Sequence, residues 1–267
     1  MYCVLFPNQC SHEVSIIDET KVKVWIIHKG LSQSCLDPKL EPMAQQMSAK
    51  AVKAMLRKEC KARIAAIPKL IKESQSRRLT QMFLDIPKVQ ESNSFGIYLS
   101  RDDEVDTKVI IQTLLKHRKE IFVPFYKGDT MKMVPLYSWQ DYERMPETAW
   151  KIKQPEDGET RLDALSLGGI EVLVCPGLAF GQNCSRLGRG KGYYDKYIET
   201  CKQKGSYPFM VGLAFNEQVT KGDLALDEND QYLSVVLYPS MHRYELPSGL
   251  KEGKTFIERN LFYTFPY

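Results

Sequence analysis

Three uninterrupted apolar runs in the second half of the chain constrain the fold more than any other feature. They read IEVLVCP from Ile170, FMVGLAF from Phe209 and LSVVLYP from Leu233. A strand covered on both faces has this continuous apolar pattern, whereas a half-exposed strand alternates apolar with polar residues. FGIYLS from Phe95 and IFVPFY from Ile121 are also predicted strands, and helical segments separate these runs. The alternation predicts a mostly parallel α/β sheet, with ligands expected beyond the carboxyl ends of the strands.

The sequence pattern divides the chain of 267 residues into three parts. Residues 1–47 hold one strand-like run, 21–28, among turn formers, and we interpret them as an N-terminal extension. Residues 48–239 carry the regular pattern of a single domain, and residues 240–267 are predicted to be a tail. Translation from Met43 or Met47 is an alternative to a structured extension, and the sequence leaves both open.

The composition argues for small-molecule chemistry in the cytoplasm. The net charge of +4 is far below the basic footprint of a dedicated DNA-binding protein. Seven cysteines, an odd number without a CxxC pair, indicate reduced thiols. The four histidines are isolated, so a zinc site or a Ser-His-Asp triad is not predicted. No apolar run approaches the roughly 20 residues of a membrane span, and no secretory or transit signal is recognisable, so we expect a cytoplasmic protein.

The stretch RLGRGKGYYD, Arg186 to Asp195, is the candidate functional motif. It follows an apolar strand and leads into a helical pattern, so its glycines are predicted to lie at a helix N-terminus, where unpaired N–H groups bind anions. Walker A requires Ser or Thr where Gly192 stands, and GxGxG does not match the dinucleotide pattern GxGxxG. A flexible, solvated connection is the alternative. Arg186, Arg189 and Lys191 would repel one another at a purely structural turn, which favours a polyphosphate site.

Basic residues beside aromatic ones can also stack on single-stranded nucleic acid. No RNP-type strand, KH loop or zinc-knuckle spacing accompanies them in this sequence, so we expect no nucleic-acid partner.

Arg186 to Asp195, preceded by PGLAF, resembles the motif of 5-formyltetrahydrofolate cyclo-ligases, also called 5,10-methenyltetrahydrofolate synthetases. The similarity extends over roughly Ser48 to Tyr238. The blocks KAMLRKECKAR, IYLSRDDEVDT, TAWKIKQP, LAFNEQ and DENDQYLSVVLY follow in the family's order. The resemblance implies a three-layer α/β sandwich with a mostly parallel central sheet, similar to NagB, RpiA and CoA transferases.

The resemblance also implies an activity, the ATP- and Mg²⁺-dependent conversion of 5-formyltetrahydrofolate to 5,10-methenyltetrahydrofolate, ADP and phosphate. The formyl oxygen would attack the γ-phosphate, and N10 would displace the phosphate from the resulting iminium phosphate. The expected partners are folate and ATP, and the expected state is a monomer. A noncatalytic relative that binds folate or RNA is one alternative. Related chemistry on another N-formyl compound or a thiamine-linked metabolite is another.

The family motif carries roles onto matching positions of this chain. Arg189 and Lys191 would stabilise the transferring phosphoryl group, and Asp195 and Asp230 would bind Mg²⁺, a hard cation that takes few carboxylates. The ATP-binding residues implied are Lys53, Arg57, Arg186, Leu187, Gly188, Arg189, Gly190, Lys191, Gly192, Tyr193 and Tyr194. The folate-binding residues implied are Leu99, Glu104, Trp150, Arg189, Gly190, Lys191, Gly192 and Tyr193.

Several of these residues also have a purely structural interpretation. Lys53 and Arg57 can lie on a solvated helix face, Glu104 can cap a helix, and Trp150 can belong to the core. Asp195 can meet a helix dipole, and Asp230 can be a turn former.

Three positions depart from the family pattern, namely Gly181, Cys184 and Ser234. The first two can rearrange the hydrogen bonds of the loop, and Ser234 can alter the packing of the last strand. None of the three removes a residue assigned to phosphate or metal.

Overall fold

The computed structural model describes residues 2–5, 49–148, 152–156, 160–181, 183–220, 224 and 230–239. The predicted strand at 21–28, Met43, Met47, Trp150 and the predicted tail lie outside the described residues. Among the described helices, none is long and apolar enough to cross a membrane.

Helices and strands alternate along most of the described chain, as the sequence predicts. The helices are α1 (Ala49–Ala65), α2 (Lys69–Leu84), α3 (Pro87–Glu91), α4 (Lys108–Lys116), α5 (Trp139–Arg144) and α6 (Tyr193–Gln203). The strands are β1 (Tyr2–Leu5), β2 (Ser94–Ile97), β3 (Glu120–Lys127), β4 (Thr130–Leu136), β5 (Val172–Cys175), β6 (Ala179–Phe180), β7 (Arg186–Leu187), β8 (Phe209–Leu213) and β9 (Val235–Pro239). Single 3-10 turns lie at Ala164–Ser166 and Asn216–Gln218.

A mostly parallel sheet forms the centre of the molecule. Within the described residues its order is β1-β9-β8-β5-β2-β3-β4, and the strands from β9 to β3 run parallel. At the edges, β4 pairs antiparallel with β3 and β1 pairs antiparallel with β9. Helix α2 packs on β9, α4 packs on β3 and α6 packs on β4. The predicted α/β architecture is therefore confirmed, with antiparallel strands added at both edges.

The local sequence explains why these strands form where they do. All four residues of β5 are buried, as are all four of β2, which is the environment of a strand covered on both faces. Strand β4 runs antiparallel because a tight turn at Gly128, with φ of 58°, connects it directly to β3. Glycine adopts this left-handed conformation without steric cost.

The predicted strand FGIYLS is shorter in the structure, because the sheet pairing ends at Ile97. The Tyr98 hydroxyl donates to the carbonyl of Val105, and the Tyr98 carbonyl accepts from the Thr107 hydroxyl. These local bonds turn the chain out of the sheet into a loop, residues 101–104, that we call the acidic loop.

Candidate active site

A cavity of about 600 Å³ lies beyond the carboxyl ends of β2 and β5. Residues that directly follow these strands line it, Tyr98 and Leu99 after β2 and Pro176 and Gly177 after β5. This is the edge where parallel α/β sheets bind their ligands, since loops converge there and helix N-termini point toward it.

The structure brings the predicted site residues together around this single cavity. Lys53 and Arg57 reach it from α1, Leu99 and Glu104 from the segment after β2, and Asp230 from the segment before β9. The remaining lining residues from the motif are Arg186, Leu187, Gly188, Arg189, Gly190, Lys191, Gly192, Tyr193, Tyr194 and Asp195. Of the predicted site residues, Trp150 falls outside the described part of the chain.

The glycine loop, residues Gly188–Gly192, connects β7 to the N-terminus of α6. Gly190 has φ of 106° and Gly192, the N-cap of α6, has φ of 68°. A residue with a Cβ would be strained in this left-handed region. The first-turn N–H groups of α6 have no intrahelical partners, and Tyr193, Tyr194 and Asp195 of this turn line the cavity. This geometry suits an anion at the loop.

Arg57 of α1 holds the glycine loop through a hydrogen bond to its backbone. Its Nε donates to the carbonyl of Gly188 at 3.0 Å. Lys191, in contrast, is exposed, with 66% of its side chain accessible and Asp129 4.0 Å away. In the part of the chain that the structure describes, this exposed and distant Asp129 is the counter-charge of Lys191, so the lysine can turn to a ligand at little cost.

Arg186 is buried beneath the loop, with 3% of its side chain exposed. Its Nη1 donates to the carbonyl of Pro176 at 3.1 Å, and its Nη2 donates to Asp195 Oδ1 at 2.6 Å. Burial alone lowers the pKa of Arg186, but the Asp195 carboxylate outweighs burial and raises it above its ordinary value. The Arg186 guanidinium therefore holds the Asp195 carboxylate in place. The predicted contact of Arg186 with ATP phosphates stays a prediction.

Asp195 and Asp230 both line the cavity. The backbone N–H of Gln231 donates to Asp195 Oδ1 at 3.4 Å, so the chain segment that carries Asp230 runs beside Asp195. Asp230 is also paired with Lys53 of α1, whose side chain is only 6% exposed. The buried position of Lys53 rules out the solvated helix face that its sequence context also allowed.

The donor chemistry of this carboxylate pair fits Mg²⁺. The described residues hold no cluster of three or more His, Cys, Asp or Glu that could enclose a metal. Mg²⁺ is commonly bound by one or two carboxylates together with waters and nucleotide phosphates rather than by a complete protein cage. Asp195 and Asp230 are therefore suited to a magnesium ion that arrives with a nucleotide.

Arg189 contacts the acidic loop. Its Nη2 donates to Asp103 Oδ1 at 2.8 Å and to Glu104 Oε1 at 3.0 Å, and its Nε donates to Glu104 Oε1 at 3.2 Å. Asp103 was not selected by the sequence reasoning. The only signal was its position in the run DDE beside the predicted folate acid Glu104.

Tyrosines form an aromatic wall of the cavity. The rings of Tyr126 and Tyr193 lie 4.9 Å apart, and the Tyr193 hydroxyl donates to the carbonyl of Gly128. Burial raises the pKa values of Tyr98 and Tyr194, so both hydroxyls stay protonated at neutral pH. Tyr126 was also missed from the sequence, where it is only the last residue of an apolar strand.

The three departures from the family pattern have local structural roles. A Cβ at Gly181 would lie 2.3 Å from the Ser185 hydroxyl oxygen, so a larger residue there would displace the Ser185 side chain. Cys184 is buried with φ of 62°, and its carbonyl accepts from Leu233. The Ser234 hydroxyl accepts from the Met210 N–H of β8. All three stabilise the frame behind the glycine loop.

Buried cysteines near this frame are expected to resist alkylation. Burial raises the pKa of Cys175 and of Cys184 to about 12, and that of Cys201 to about 11. At pH 8 a thiol of pKa 12 is thiolate in about one molecule in ten thousand, and this fraction rises tenfold per pH unit. Iodoacetamide at pH 8, followed by peptide mass mapping, should modify these three residues only after unfolding in urea. Rapid labelling of Cys175 in the native protein would contradict the buried placement.

Comparison with known proteins agrees with this geometry. The model of the 5-formyltetrahydrofolate cyclo-ligase family matches residues 49–239. The 5-formyltetrahydrofolate cyclo-ligase of Mus musculus is 39% identical over 195 residues, which are 72% of this chain and 96% of the mouse protein. A probable 5-formyltetrahydrofolate cyclo-ligase of Caenorhabditis elegans is 34% identical over 197 residues, 72% of this chain and 95% of that protein.

A solved structure shows the same fold. The NMR structure of Aquifex aeolicus 5,10-methenyltetrahydrofolate synthetase superimposes with a TM-score of 0.59 at 25% identity, covering 70% of this chain and 89% of that one. Fold and site together define an α/β enzyme with a cavity at the carboxyl edge of its sheet, lined by arginine, lysine and carboxylate side chains. Within that class, the chain belongs to the 5-formyltetrahydrofolate cyclo-ligase family, whose members are ligases. The family predicted from the sequence motif is thereby confirmed.

Proposed function

We propose that this protein converts 5-formyltetrahydrofolate to 5,10-methenyltetrahydrofolate and couples the reaction to hydrolysis of ATP to ADP and phosphate. The observation that carries the proposal is the position of the glycine loop. It faces Glu104 and Leu99 across one cavity and has Asp195 and Asp230 at its base. A phosphate donor and a folate would therefore meet within a single cavity. We also propose that residues 48–239 are the catalytic domain, because all described lining residues lie between Lys50 and Asp230.

The chemistry requires alignment and charge neutralisation more than covalent participation of the protein. The formyl oxygen attacks the γ-phosphorus and ADP leaves, which gives an iminium phosphate. N10 then forms a bond to the same carbon, the C–O bond breaks, and phosphate departs with the former formyl oxygen. The N10 proton is lost to solvent or phosphate, so the methenyl bridge keeps its positive charge.

Each predicted residue has a defined task in this sequence of steps. Arg189 and Lys191 donate to the oxygens of the phosphoryl group while its charge is spread over them. Glu104 accepts hydrogen bonds from the pterin N–H donors, and Leu99 contacts the ring system. Lys53 and Arg57 lie where they can reach the nucleotide's phosphates.

Asp195 and Asp230 are the residues that would hold Mg²⁺. The ion would neutralise charge on the nucleotide phosphates when bound. Arg186 contributes by holding the Asp195 carboxylate in a fixed orientation through its 2.6 Å contact. The protein's own part in the metal site is therefore a pre-oriented pair of oxygens.

The proposal is tested by following methenyl formation. Purified protein with 5-formyltetrahydrofolate and MgATP should develop the absorbance of 5,10-methenyltetrahydrofolate, with one ADP released per product. Omission of ATP, or chelation of Mg²⁺ with EDTA, should stop product formation. Folded protein that makes no methenyl product under these conditions would refute the proposed function.

A further inference from the structure

The acidic loop engages the loop arginine that the proposed reaction needs. Within the described residues, the three hydrogen bonds of Arg189 go to Asp103 and Glu104. The two loops follow different strands, since the acidic loop comes after β2 and the glycine loop after β7. The ion pair is therefore a tertiary contact across the cavity mouth, formed by residues 85 and 86 positions apart.

The charges around Arg189 bear directly on anion binding. Glu104 is largely buried, with 10% of its side chain exposed, while Arg189 and Asp103 are 29% and 36% exposed. Burial lowers the pKa of Arg189, but Glu104 and Asp103 raise it above its usual value, so the arginine stays charged. Two carboxylates at hydrogen-bonding distance neutralise that charge and add negative potential where phosphate would arrive.

Glu104 has a second set of partners within its own loop. Its Oε2 accepts from the backbone N–H of Arg101 at 3.2 Å, and its N–H donates to the Arg101 carbonyl at 3.1 Å. Both carboxylate oxygens are thus engaged by protein donors. Oε1 already accepts two hydrogen bonds from Arg189, so a ligand whose N–H donor bonds to Oε1 competes with this arginine. Once a ligand occupies Glu104, the contact of Arg189 with the acidic loop is the one to Asp103 Oδ1. The same oxygen also lies 3.4 Å from Arg101 Nε.

We propose that Asp103 is a positioning residue that, together with Glu104, retains Arg189 on the acidic loop until folate binds. Folate takes over Glu104, the retention weakens, and Arg189 turns to the phosphates. The two substrates consequently bind cooperatively, and by thermodynamic linkage each strengthens the other by the same factor. This inference rests on the proposed function, because it takes Glu104 as the folate acceptor and Arg189 as a phosphate donor.

The first test measures nucleotide affinity without folate. Calorimetry with AMP-PNP and Mg²⁺ should show that Asp103→Asn binds about threefold to fivefold more tightly than wild type, the size expected of a partly exposed ion pair. Asp102→Asn is the matched control, because it removes the same charge from the same loop. Asp102 is exposed, and its carboxylate makes no contact with Arg189 in the described part of the chain. Equal affinities for the two variants would overturn the inference.

The second test asks whether the effect passes through Arg189. In an Arg189→Gln background, Asp103→Asn should no longer change AMP-PNP affinity, because the positive charge that Asp103 holds on the acidic loop has been removed. Asp103→Glu, which preserves the charge, should restore affinity close to that of wild type. A change that persists in the Arg189→Gln background would assign the effect to Arg101 or to general electrostatics and would contradict the inference.

The third measurement is the coupling itself. Saturating 5-formyltetrahydrofolate should tighten AMP-PNP binding to wild type, and this factor should fall in Asp103→Asn but not in Asp102→Asn. If the folate tightened AMP-PNP binding to Asp103→Asn by the same factor as to wild type, the proposed role of Asp103 in the coupling would be contradicted. If wild type made no methenyl product, the proposed function would fail on its own. The folate-free comparison of Asp103→Asn with Asp102→Asn would still decide whether Arg189 is retained.

Discussion

Lys191→Ala should lose turnover by about a hundredfold to a thousandfold while the protein keeps its fold, in line with the removal of one donor to a developing phosphoryl charge. The lysine is exposed and its nearest acidic partner, Asp129, is also exposed, so truncation leaves no cavity and no buried unpaired group. The loss should appear in kcat for methenyl formation, with the melting temperature close to that of wild type.

Lys196→Ala is the matched control for this variant. Lys196 is an exposed lysine of the same helix terminus, and it does not line the cavity. It should retain turnover within a factor of about two, because surface substitutions of this kind are usually near neutral. Unchanged turnover in Lys191→Ala, or an equal loss in Lys196→Ala, would refute the assigned role of Lys191.

Asp195→Asn should cost both stability and activity. Removal of this carboxylate leaves the Arg186 guanidinium, 3% exposed, without a counter-charge, and breaking such a buried pair costs about 3–5 kcal/mol. It also removes a predicted magnesium ligand, so turnover per folded molecule should fall by orders of magnitude. Urea unfolding and the methenyl assay at a temperature where the variant is folded measure the two effects separately.

A second buried pair supplies the control. Arg161 donates to both oxygens of Asp141 at 2.8 and 2.9 Å, and its side chain is 7% exposed. Asp141→Asn should destabilise the protein to a comparable extent, yet its folded fraction should turn over normally because neither residue lines the cavity. Normal turnover in folded Asp195→Asn would show that this aspartate is structural only.

The fold was predictable wherever a pattern is local. Strand β5 and helix α6 follow from their own apolar periodicity, and the glycine loop between them follows from glycine's backbone freedom. The end of β2 was not predictable, since Tyr98 leaves the sheet through hydrogen bonds to Val105 and Thr107 that no periodicity encodes.

Most of the described residues that line the cavity could be predicted from the sequence, but their contacts could not. The sequence motif identified Arg186 and Arg189 as cations of one loop. The structure gives them opposite environments, because Arg186 turns inward to Asp195 while Arg189 reaches Glu104 on a distant segment. Which carboxylate pairs with each arginine depends on how segments far apart in the chain pack together. A single sequence does not reveal that packing. The cytoplasmic location also stays a prediction, because no feature of the fold tests it.

The central claim is that this cavity uses ATP to activate the formyl oxygen of the folate. Its most direct test is to supply 5-formyltetrahydrofolate carrying ¹⁸O in the formyl group with unlabelled MgATP. Mass spectrometry of the released phosphate should find one ¹⁸O atom for each methenyl product formed, because the C–O bond breaks only after that oxygen has been phosphorylated. Methenyl formation with unlabelled phosphate, and with the label in water, would contradict the account.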